Sequence, residues 1–80
     1  MAEDPQKDAL IKRYPTLAFF EYDHLPDHLA RISAPFRRLA WQLAGDLNHC
    51  AETSTALRKL LEAKDCAVRA GLEPREYINV

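Results

Sequence analysis

Glycine is nearly missing from this 80-residue chain, which has only Gly45 and Gly71. With so few there is no glycine-rich phosphate loop leading into a helix. Cysteine is equally scarce. Cys50 and Cys66 form no CxxC pair, and no HExxH pattern accompanies His24, His28 and His49, so neither a metal site nor a disulfide scaffold is expected. His24 precedes the predicted start of a helix and does not share a helical face with His28. Cys50 falls at a turn and Cys66 lies several helical turns away, which suits two reduced thiols in a cytosolic protein. No apolar run approaches the roughly 20 residues a membrane span needs. Charge of one sign is missing as well: 11 Lys and Arg against 12 Asp and Glu leave a net charge of −1. Duplex nucleic acid, whose affinity is built from many phosphate contacts, is therefore not an expected partner. A small anion held by a few local cations remains compatible. No nucleophile is paired with a base in the pattern, so neither catalysis nor a cofactor is expected.

What the chain does contain is helical periodicity. Leu57, Leu60, Leu61 and Val68 recur at three- and four-residue steps, and Ala56, Ala63, Ala67 and Ala70 make a neighbouring strip where another backbone could approach. This predicts a helix beginning between Ala51 and Thr53. Gly71 followed by Leu72 predicts a left-handed, Schellman-type stop, with Arg69 favourably placed at the negative end of the helix dipole. Upstream, Leu29, Ile32, Phe36, Leu39, Leu43 and Leu47 step by 3, 4, 3, 4 and 4 residues, the seam of a second long helix. Asp27, after Pro26, is its expected cap, and Pro35 predicts a kink near Arg31 or a restart capped by Ser33. The short connection makes the two helices antiparallel, a hairpin over residues 27–71.

Residues 5–25 precede the hairpin. Pro5 can open a short helix running to about Arg13, which Pro15 ends. Thr16 to Leu25 is aromatic and apolar and lies between two prolines, an extended or irregular arm packed on the helices. Residues 1–4 are polar and expected to fray, and residues 72–80 form a tail. The expectation is one all-α domain. A chain this short buries only roughly 60% of the surface it exposes when unfolded. A monomeric hairpin would leave either the leucine seam or the alanine strip in water, so a homo-oligomer is expected.

Tyr22 is the most suggestive single residue, because a base can stack on its ring and it sits in a non-helical arm. Phe19 and Phe20 are read as cover for the hairpin. Of Arg37 and Arg38, one must point away from the seam, and a solvated face is their ordinary explanation. Arg58 with Glu62, and Asp65 with Arg69, are four-residue pairs of a helix surface. Lys59 and Lys64 lack an acidic partner at that spacing and are the freer cations.

Phe20-Glu21-Tyr22, the run Leu29 to Phe36, the Leu39-Ala40 pair and above all Thr55 to Ala70 resemble the phage anti-CBASS sponges, a family sharing its helical hairpin with the anti-Thoeris sponges. The similarity covers about residues 19 to 71. It implies a protein of the infected host's cytoplasm that captures cyclic di- or trinucleotides, or cyclic ADP-ribose isomers in the other branch, without cleaving them. It implies an interlocked homo-oligomer, a hexamer in the cyclic-dinucleotide branch. On that resemblance Tyr22 would stack on a base, while Arg37 or Arg38 and one of Lys59, Lys64 and Arg69 would hold phosphates.

Overall fold

The computed structural model describes residues 5–73. The frayed segment expected at 1–4 and the tail from 74 onward lie outside the described residues. The regular structure of the described residues is all helical: α1 (Pro5–Arg13), a 3-10 helix (Pro15–Phe20), α2 (Asp27–Asp46) and α3 (Ala51–Ala70). Tyr14 leaves the helical region (φ −130°, ψ 82°) directly ahead of Pro15, as a residue before proline must to avoid the pyrrolidine ring. Residues 15–20 then coil instead of extending. The three-residue repeat of the 3-10 helix puts Leu17 and Phe20 inward, both fully buried, and turns Phe19 out to 66% exposure.

Asp27 does not cap α2. Pro26 holds the cap position, and Asp27 is the first helical residue, where a carboxylate still suits the positive end of the dipole. Nor does Pro35 divide the helix, which runs unbroken through 20 residues with the proline on its solvent side. The ring removes one hydrogen bond, to the Arg31 carbonyl, and no restart follows. Ser33 is a core residue, not a cap. At the other end of the hairpin Thr53 Oγ1 donates to the Asn48 carbonyl at 2.6 Å, fastening the connection to the first turn of α3. The stop at Gly71 is also not left-handed: its φ and ψ are −67° and −14°, and Leu72 is 65% exposed. A Cβ at Gly71 would meet the terminal methyls Cδ1 of Ile32 and, at 3.0 Å, Cδ2 of Leu29, both on side chains able to turn aside.

That contact sets the end of α3 beside the start of α2, so the long helices run antiparallel. Their contact line differs from the expected leucine seam. The most buried residues of α2 are Leu29, Ser33, Ala40 and Ala44, and those of α3 are Thr53, Leu57 and Lys64. Small side chains let the two backbones approach, and the bulky stripe rotates off the contact, leaving Leu39 42% and Leu47 43% exposed. Tyr14, Leu17 and Phe20 then pack on Ala40, Ala44 and Leu57 to complete the core. The Cα trace spans 43 × 33 × 15 Å. The 3-10 helix packs on both α2 and α3, and α1 packs on the 3-10 helix.

Candidate functional site: an open groove beside Tyr22

Tyr22 follows the 3-10 helix and is half-buried against the first half of α2. With Asp27, Ala30, Arg31 and Ala34 it lines an open groove of about 350 Å³. Ala30 and Ala34, one turn apart, leave the room, and Asp27 and Arg31, also one turn apart, supply opposite charges. An aromatic face, a guanidinium, a carboxylate and a floor of methyl groups can stack a planar ring, pair an anion and accept a hydrogen bond. Arg31 was missed by the sequence reading. Its signal was available, because the four-residue step from Asp27 and the flanking alanines put all of them on one flank of α2.

The other expected cations are not gathered at this groove. Arg37 Nε donates to Glu21 Oε2 at 3.0 Å, and the guanidinium lies 5.3 Å from the Trp41 ring centroid. Lys7 stands 5.8 Å from the same ring, so Trp41 and its two cations clasp the N-terminal layer to α2. Arg38 and Lys59 are exposed. Lys64 is not a free cation: it is only 9% exposed and its ammonium pairs with Asp65 Oδ1 at 3.0 Å. Asp65 is thereby drawn from Arg69, whose Nη2 instead donates to Cys66 Sγ at 3.4 Å. Among the described residues the expected pair of Arg58 with Glu62 is not formed. Tyr22 lies on the flank of α2, whereas Lys59 and Arg69 belong to α3, so a single chain does not bring the six candidates together.

Two further features escaped the sequence reading. Ser33 of α2 and Lys64 of α3 are both buried polar residues on the contact line of the hairpin. The Ser33 hydroxyl is fully buried with no partner, as are the Tyr14 hydroxyl and the Trp41 ring nitrogen. Cys50 caps α3 and its thiol is held below the usual range, first by the Thr53 hydroxyl and then by the Thr53 backbone N–H. The Thr53 hydroxyl that donates to Asn48 also lies 3.5 Å from the Cys50 sulfur, a contact in which either atom can be the donor. Both cysteines are free and exposed, and no three metal-ligating side chains converge among the described residues.

No protein-family model, curated protein or solved structure matches the chain. The functional reading therefore stands on its own residues: an all-helical hairpin with an aromatic, cation-bearing groove on one flank.

Proposed function

We propose that the chain sequesters a cyclic nucleotide messenger without cleaving it, in the manner the resemblance to the anti-CBASS sponges implies. The observation that carries this reading is the groove, in which Tyr22 and Arg31 offer a stacking face and a cation above an alanine floor. Its 350 Å³ is at the low end for ligand pockets, enough for part of a cyclic dinucleotide. Two copies related by a two-fold axis would offer about 700 Å³ to a two-fold ligand and repeat each contact. About 45 heavy atoms at about 0.3 kcal/mol each set a ceiling near 13 kcal/mol, nanomolar affinity, which enclosure by a homo-oligomer such as a hexamer could approach.

Arg31 replaces Arg37 in this scheme, because Arg37 is held by Glu21 and Trp41, and Lys59 or Arg69 of a second copy would supply further cations. The setting is the cytoplasm of an infected bacterium. No described helix is long and apolar enough to cross a membrane. A second reading, a helical assembly protein with no ligand, is favoured by the internal engagement of Lys64 and Arg37.

Calorimetric titration of the full chain with cyclic GMP-AMP, a cyclic trinucleotide and a cyclic ADP-ribose isomer separates the readings. Binding of one class is expected, weakened about ten- to hundredfold by Tyr22→Ala or by Arg31→Ala, with the ligand recovered intact after denaturation. A chain that binds none of the three is an assembly protein, and recovery of linear product makes it an enzyme.

A further inference from the structure

The leucine stripe of α2 and the alanine strip of α3 lie on the same face of the hairpin. At 100° per residue, Ile32, Leu39 and Leu43 sit roughly 70–110° to one side of the contact line of α2, and Arg37 and Trp41 sit roughly 50–90° to the other. Lys7 and Glu21 reach Trp41 and Arg37, so the side of Arg37 and Trp41 is the one covered by the N-terminal layer. On α3, Ala56, Ala63 and Ala67 lie roughly 70–110° from the contact line in the same rotational sense. Because α3 runs antiparallel, that sense leads to the same, uncovered face. Leu39 and Ala63, on that face, are both exposed.

We propose that this uncovered face binds a second copy of the chain in a two-fold, four-helix contact, with the α2 leucines of each copy seated on the α3 alanines of the other. The contact is independent of the ligand and distinct from one that would join two grooves, since Ala30 and Ala34 of the groove lie on the Arg37 and Trp41 side of α2. A two-fold axis parallel to the helices stacks α2 on the partner's α3, bulky on small, which is how facing layers interdigitate at native density. The axis perpendicular to the helices would set leucine against leucine and alanine against alanine. Area favours the same occupant. Helices of 20 residues are about 30 Å long, and a face two helices wide is about 20 Å across, so stacking removes on the order of 1,200 Å² in total, the lower bound of stable interfaces.

Leu39 and Ala63 are exposed in the single chain, so changing either leaves the hairpin itself folded. Light scattering at low micromolar concentration, without nucleotide, is expected to give at least twice the 9.2 kDa of one chain. Leu39→Glu and Ala63→Glu are each expected to weaken self-association at least about a hundredfold while keeping the helical circular dichroism, and Gln42→Glu, on the far edge of α2, leaves the mass unchanged. A monomeric wild type overturns the proposal. So does an assembly indifferent to both substitutions, and so does a loss of thermal stability in Leu39→Glu at unchanged mass, the signature of residues 74–80 covering the face. An assembly that ignores every nucleotide removes the ligand reading and leaves this contact standing.

Discussion

At the scale of single residues, the burial of Ser33 and Lys64 departs most from what pattern alone suggests. A lysine in an alanine-leucine helix is read as solvated because burying an ammonium is costly, yet Lys64 lies along the line of Thr53, Leu57 and Val68 and keeps one carboxylate at its tip. Ser33, fully buried with an unpartnered hydroxyl, carries a desolvation cost that alanine would not. Ser33→Ala is therefore expected to stabilise the fold by about 1 kcal/mol, visible as a rise in Tm of about 4–8 °C for a domain of this size. Lys64→Met keeps the aliphatic stem and removes the charge, and its expected effect on stability stays within about 1 kcal/mol. Unchanged nucleotide affinity in that variant would confine Lys64 to the core; a large loss at unchanged Tm would return it to the site.

At the scale of elements, the helices themselves were legible. Proline positions and the two apolar periods located α1, α2 and α3, because Pro15 and Pro26 bar helical backbone before them and the 3.6-residue repeat has no competing reading. Which face each helix buries was not legible. Hydrophobicity ranks Leu39 above Ala40, but close antiparallel contact selects small residues, and only the packed backbones reveal that Ala40 and Ala44 win. The same holds for Gly71, whose pattern suggested a left-handed turn while its φ is −67° and it packs beside the Ile32 and Leu29 methyls. In the groove, Tyr22 was legible from its chemistry, whereas Arg31 depended on where the 3-10 helix delivers the chain.

Pro35 tests an element directly. It sits on the solvent side of a helix that continues through it, so Pro35→Ala restores the bond to the Arg31 carbonyl without disturbing a packed surface. The helix-propensity gain of up to about 3 kcal/mol is reduced by proline's rigidity in the unfolded chain and by the native accommodation of the ring, leaving an expected stabilisation of about 1–2 kcal/mol in chemical denaturation. The first turn of α3 offers a second test. Thr53→Val removes the hydroxyl that holds the Cys50 thiol below its usual range, so alkylation of Cys50 near neutral pH, followed with Cys66→Ser in the background, is expected to slow. Equal rates with and without the hydroxyl would assign the effect to the helix terminus alone.

At the scale of the whole molecule, thinness governs the behaviour. A trace 15 Å in its shortest dimension leaves few fully enclosed side chains among the described residues, and the largest of them, Phe20, Leu17 and Leu57, gather where the 3-10 helix meets the hairpin. A core so limited is marginal for one copy, so folding and association are expected to be a single event whose midpoint depends on protein concentration. Unfolding enthalpy scales with length at about 0.7 kcal/mol per residue, about 56 kcal/mol for this chain, and mass action then raises Tm with concentration in proportion to RTm² over that enthalpy. For a dimer that unfolds as it dissociates, the rise is about 4–5 °C per tenfold concentration, and for a hexamer about 7 °C. A monomer shows none. Calorimetric scans of the unmodified chain across two decades of concentration thus measure assembly without any substitution, and they do so with no nucleotide present. A Tm independent of concentration would mean that the hairpin and its N-terminal layer suffice alone, and the leucine stripe of α2 would then need another explanation.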